Sequence, residues 1–138
     1  MVFGIRLAKV NGNSMQPLFN NGDYILYRGR FLNPGKGDVI LFERENALYI
    51  KRVYGLPGDT VEITEKGLVL INGAPLGKKN IQVMGETKSY DMKGAVTLND
   101  SEYFVLGDNR TVSKDSRNAE IGVIHEQQIK GISILPGV

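Results

Sequence analysis

Gly12-Asn13-Ser14-Met15-Gln16-Pro17-Leu18 places a serine after an expected strand and just ahead of a proline. Proline has no N–H and ends a strand, so the chain must bend here. A bend beside glycine exposes the Ser14 hydroxyl and frees nearby backbone N–H groups, as a nucleophile with an oxyanion hole requires. The same residues also suit a serine capping a short helix with Pro17 in its first turn. A second position is Lys51, within Leu48-Tyr49-Ile50-Lys51-Arg52-Val53-Tyr54. Strand neighbours alternate faces, so Lys51 shares one with Tyr49 and Val53, and Arg52 shares the other with Leu48, Ile50 and Tyr54. A lysine desolvated by such neighbours loses its proton more easily and can act as a base. A lysine that snorkels to water fits the same pattern, and parity leaves open which face is buried. The third position is the loop Gly107-Asp108-Asn109-Arg110-Thr111-Val112-Ser113-Lys114-Asp115-Ser116-Arg117, which follows an apolar run. Its acids, amides, hydroxyls and guanidiniums suit a binding loop knitted by charge-assisted hydrogen bonds, and equally a solvated polar loop.

Other chemistries are thinly represented. His125 is the only histidine and sits in the polar run His125-Glu126-Gln127-Gln128. A Ser–His–Asp triad would have to use it, and its setting reads as surface. One histidine and no cysteine exclude a His-rich or thiolate metal site, a thiol nucleophile and a disulfide scaffold. The remaining carboxylates lack clustered metal-binding spacing. No metal and no cofactor is expected. The net charge of +2 and the scattered basic residues give no reason to expect nucleic acid.

The elements that must position these groups read as strands. The chain has 138 residues, 41% of them hydrophobic and 17 of them glycine, which fits one globular domain rich in turns. Runs rich in Val, Ile, Tyr and Phe are expected as strands at Ile5–Val10, Tyr24–Tyr27, Asp38–Phe42, Leu48–Tyr54, Thr60–Thr64, Leu68–Ile71, Ile81–Val83, Ala95–Leu98, Tyr103–Leu106 and Ile129–Leu135. Gly, Asn and Pro turns separate them, among them Asn33-Pro34-Gly35 and Asn72-Gly73. Helix is limited to a turn after Ser14 and another through His125–Gln128. The expected fold is mainly β, a coiled antiparallel sheet or open barrel. Within one domain spanning residues 1–138, the core covers 1–71 and 100–138. The polar, glycine-containing segment 72–99 reads as a small mobile hairpin excursion or a plain long loop. No run of about 20 apolar residues is present. The opening Met1-Val2-Phe3-Gly4-Ile5 reads as an ordinary first strand or the stub of a trimmed segment.

Together these sites resemble the ordered boxes of the type I signal peptidases. Ser14-Met15-Gln16-Pro17-Leu18 resembles the nucleophile box, Gly37-Asp38-Val39-Ile40-Leu41-Phe42 the next, Tyr49–Asp59 the lysine box, and Gly107–Arg117 the last. All four occur in family order, and the likeness covers most of residues 5–63 and 100–135. The short, unmatched middle is similar to that of Gram-positive members, including those tied to pilus assembly.

The resemblance implies roles. Ser14 would be the nucleophile and Lys51 the general base, with Ser113 bonding and orienting Lys51. Asp115 and Arg117 would pair and hold the loop to the site, with Arg52 and Asp108 as further support. Met15 and Pro17 would contact substrate, and the Ser14 N–H would hold the oxyanion. Gly12 stands where some relatives add a hydroxyl. The implied substrates are preprotein signal peptides with small residues before the cut, possible pilin subunits among them. The implied setting is the outer face of the plasma membrane, with an N-terminal apolar anchor helix preceding this chain. Two rival expectations are a self-cleaving repressor-type Ser/Lys peptidase and a non-catalytic pilus-assembly factor on the same fold. The first would need a cleavable linker and a DNA-binding helical domain ahead of the serine. Loss of the serine or lysine would mark the second, and both are present.

Overall fold

The computed structural model describes residues 4–29, 32–77 and 80–134. Residues 1–3 of the opening run and Leu135 of the last expected strand lie outside the described residues. Ten strands follow in order: β1 Ile5–Lys9, β2 Tyr24–Arg28, β3 Val39–Arg44, β4 Ala47–Gly55, β5 Thr60–Ile63, β6 Val69–Ile71, β7 Val96–Thr97, β8 Glu102–Leu106, β9 Ile124–His125 and β10 Ile129–Ser133. The only helix among the described residues is a 3-10 turn at Glu126–Gln128. Seven strands form one antiparallel sheet in the order β1-β2-β10-β3-β4-β8-β9, and β6-β5-β7 form a second. The large sheet has two free ends, so no closed barrel forms.

The hairpin β3–β4 carries Lys51. Its two-residue turn is Glu45-Asn46, both with positive φ (50° and 65°), the geometry that matches the twist of paired strands. The resulting register sets Ile40 opposite Lys51 and Val39 opposite Arg52. Residues 51–55 are buried, so the parity question resolves in favour of burial for both cations. Ile40, Phe42, Val53, Tyr103, Val105, Ile121, Ile124, Ile129 and Ile132 form one core cluster. A second, Val10, Met15, Phe19, Ile25, Val39 and Leu41, packs beneath the β1–β2 connection that carries Ser14. Residues 14–18 form turns there and no helix.

Two expectations change in the middle of the chain. Ile81–Val83 forms no strand; a single parallel bridge joins Met84 to Asn109. The small hairpin is β5–β6, and β7 from the 72–99 segment adds to β5 on its other side. Leu98 is buried with Phe104 and Leu106, so that segment is rooted in the core at its end. Strand β9 was absent from the expected set because two residues leave no period to read.

Candidate active site

Ser14 sits in a turn pinned from below. Met15 and Phe19 bury their side chains in the second core cluster, and the Phe19 N–H donates to the Met15 carbonyl at 3.0 Å. Ser14 itself is half-buried and reachable from solvent. Its backbone N–H makes no hydrogen bond within the described residues.

Lys51 comes from the middle of β4 and is 4% exposed. Its Nζ donates to Ser14 Oγ at 2.7 Å. Burial lowers its pKa from 10.5 to about 8, with Asp115 opposing the change through its negative charge and Arg117 reinforcing it. At pH 7 roughly one lysine in ten is then neutral, against about one in three thousand for an unperturbed group. The free base is thus a minority form at neutral pH, and a few hundred times more abundant than burial-free chemistry would give.

The 107–117 loop closes over both residues. Asp115 and Arg117 are fully buried, with Arg117 Nε 2.8 Å from Asp115 Oδ1 and Nη2 2.9 Å from Oδ2. Asp115 Oδ2 also accepts the Ser113 hydroxyl at 2.8 Å and the Gly107 N–H at 2.9 Å. The Tyr90 ring covers the Arg117 guanidinium at 4.6 Å. Arg52 forms a two-pronged ion pair with Asp108 at 2.9 and 2.7 Å, and its Nη1 donates to the Gly37 carbonyl. Arg110 is buried without a bonded carboxylate; it donates to Tyr54 Oη, Thr87 Oγ1 and the Gly107 carbonyl. Loop, lysine strand and the 84–91 segment are therefore tied at one point.

Gly107 is the tightest position in this packing. A Cβ there would overlap the Ser113 side chain and lie 2.8 Å from the Ser14 carbonyl oxygen. Gly107→Ala is expected to lower stability by about 1–3 kcal/mol, the usual cost of overpacking, and to cut activity with it. Thermal melting beside a cleavage assay checks this, and a variant equal to the parent in both would overturn the reading.

The structure brings Ser14, Lys51, Ser113, Asp115 and Arg117 into one cluster, with Arg52 and Asp108 paired beside it. Three expected site residues have the following surroundings. The Ser113 hydroxyl donates to Asp115 Oδ2 at 2.8 Å, and the Lys51 amine is bonded to Ser14 rather than to Ser113. Met15 is 1% exposed, and its sulfur accepts the Asp108 N–H at 3.5 Å, so it anchors the turn. The Gly12 N–H is occupied by Asn21 Oδ1 at 2.7 Å. Pro17 is exposed. His125 lies on β9, at the far edge of the sheet from β1. Asn109, Gly107, Arg110, Thr87 and Tyr90 went unpredicted. Asn109 and Arg110 stood in the singled-out loop, but Thr87 and Tyr90 carry no sequence signal that links them to it. Among the described residues no group of three or more His, Asp or Glu side chains could hold a metal ion.

Comparison with known proteins gives a consistent picture. The family described as signal peptidase, peptidase S26, matches residues 1–137. The chain is similar to signal peptidase I S of Bacillus subtilis (strain 168), 36% identical over 137 residues that cover 90% of this chain and 72% of that protein. A signal peptidase I of Bacillus amyloliquefaciens is 37% identical over 134 residues, covering 90% and 71%. The crystal structure of a signal peptidase I from Enterococcus faecalis V583 superposes with a TM-score of 0.57 at 30% identity, covering 73% of this chain and 97% of that one.

Proposed function

From a chain that belongs to the signal peptidase family, peptidase S26, of Gram-positive type, we propose that Ser14 is the nucleophile and Lys51 the general base of signal peptide hydrolysis. Signal peptidase activity, a serine endopeptidase hydrolysis, is the function of the chain. The observation that carries the residue assignment is the 2.7 Å contact between a buried lysine amine and a reachable serine hydroxyl.

The neutral Lys51 amine takes the Ser14 proton as Oγ attacks the carbonyl carbon of the scissile bond. The carbonyl oxygen becomes an oxyanion facing the unoccupied Ser14 N–H. On collapse, the Lys51 ammonium returns the proton to the leaving amine, and the signal peptide remains esterified to Ser14. Water then attacks the ester, with Lys51 again accepting the proton and Ser14 released at the end. Asp115 and Arg117 hold the loop that walls this chemistry.

The substrates in this reading are preproteins with small residues before the cut, such as Ala-x-Ala. Pilin subunits are one such class, suggested by the short 72–99 segment. The working place is the outer face of the plasma membrane, held there by an apolar segment ahead of the domain. No helix among the described residues is long and apolar enough to cross a membrane. The test is incubation with a preprotein carrying an Ala-x-Ala site, with sequencing of the new N-terminus. A single cut after the second Ala is expected, abolished when that Ala is replaced by a bulky residue, and a trapped acyl group should map to Ser14. No cleavage, or acylation elsewhere, would overturn the assignment.

A further inference from the structure

The Ser14 N–H has a direction as well as a vacancy. The Asn13–Ser14 peptide is trans; among the described residues the cis bond is Gln16-Pro17. In a planar trans peptide the carbonyl and the following N–H point in opposite directions. Whatever holds the Asn13 oxygen therefore sets where the Ser14 N–H is aimed.

Two donors hold that oxygen. The Gln16 N–H donates to it at 3.2 Å within the turn. Asn109 Nδ2 donates to it at 3.1 Å from the loop, and the same amide donates to Gln16 Oε1 at 3.3 Å. The Asn109 backbone N–H takes the next carbonyl, Ser14 O, at 2.9 Å. Asn109 thus grips two consecutive carbonyls from the side away from the free N–H. It is rigidly placed for this: it is buried, its carbonyl accepts the Val112 and Ser113 N–H groups at 3.1 and 3.0 Å, and Met84 bridges its other flank. Gly12 offers no side-chain donor, so the aim of one N–H matters more here.

We propose that Asn109 is the positioning residue of the oxyanion hole, its side-chain amide fixing the Asn13–Ser14 peptide plane so that the Ser14 N–H faces the developing oxyanion. Asn109 touches no reacting atom. The inference rests on Ser14 being the nucleophile.

The test uses Asn109→Leu, which keeps the bulk and removes the donor, and Asn109→Asp, which keeps the shape and replaces the NH2 by an oxygen. Loss of an oxyanion donor typically costs about 100–1,000-fold in kcat; loss of its aim should cost about 10–100-fold. KM should stay within about twofold. A peptide aldehyde, which forms a tetrahedral oxyanion with the serine, should lose affinity by a factor similar to kcat. An uncleavable peptide of the same sequence should not. In the Leu variant the pH at which kcat/KM rises should remain that of the parent, because no charge near the lysine changes. Parent-like kcat in both variants, or equal losses for aldehyde and uncleavable peptide, would overturn the proposal. If the Leu variant fails to fold by thermal melting, the Asp variant carries the test. Ser14→Ala run in parallel separates the two layers. If Ser14→Ala still cleaves, the nucleophile assignment falls. If it is inactive while the Asn109 variants match the parent, only the present inference falls.

Discussion

Lys51→Met is expected to abolish cleavage and, at the same time, to make the protein more stable. Methionine matches the length of the lysine stem and carries no base, so the Ser14 proton has nowhere to go. The gain in stability follows from the sign of the pKa change. The folded value of about 8 lies below the ordinary 10.5, so the folded state disfavours the ammonium relative to the unfolded chain. The gap corresponds to about 3 kcal/mol. Above pH 10.5 both states are neutral and the cost is absent. It grows as pH falls toward 8, and below that both states hold the proton and the whole cost applies. The Met variant should therefore melt above the parent, most clearly at pH 7 and below, and the difference should close toward pH 10. Activity of the parent should rise with pH through about 8. Ser14→Ala should be as inactive but without the stability gain, since the half-buried hydroxyl carries no charge cost. A Lys51→Met protein that is inactive yet clearly less stable than the parent would count against a desolvated lysine; one that still cleaves would end the dyad.

Arg117→Ala should produce the largest loss of stability. Its partner Asp115 is fully buried and would keep its charge without its guanidinium, a situation that costs about 3–5 kcal/mol. For a domain of this size that is a fall in Tm of roughly 10–20 °C. The variant also strands the Arg110 carbonyl, which accepts Arg117 Nη2 at 2.8 Å. Activity should fall with stability as the loop loosens. What survives should need a higher pH, because Arg117 helps hold the Lys51 pKa down and Asp115 pulls it up. Calorimetry and a pH–rate profile on the same preparation check both. A loss of activity with an unchanged Tm would point instead to direct contact with substrate.

Strands with strong Val, Ile and Phe content were legible because their packing is local in pattern, and nine of the ten expected runs overlap an observed strand of similar extent or contain it. Ile81–Val83 has the composition of a strand, yet pairing here is reduced to the single bridge of the adjacent Met84 to Asn109, so propensity yielded to context. Ser14 and Lys51 could be singled out from their neighbours. Their 37-residue separation offered no physical sign that they meet, and only the ordered boxes suggested it. Asn109 shows the limit more sharply. Its residue type fits any polar loop, and the two backbone carbonyls it binds, Asn13 and Ser14, lie more than ninety positions upstream. Met15 stands beside Ser14 in sequence, and its side chain packs into the second core cluster, a placement that no spacing announces.

The place of β10 has a consequence for how such a molecule comes into being. It lies between β2 and β3, bonded to both, so the N-terminal ribbon and the lysine hairpin share no backbone ladder until residues 129–133 arrive. The brace on the serine turn likewise comes from residue 109. Pairings of such long sequence separation form late and slowly, because the intervening chain must be closed into a loop before any contact rewards it. A ribosome releasing this domain from its N-terminus exposes the hydroxyl early, long before the amine, the loop and the last strand can gather round it. The scissors are thus assembled only when the whole tool is out, and a partly made chain has no edge with which to cut its neighbours.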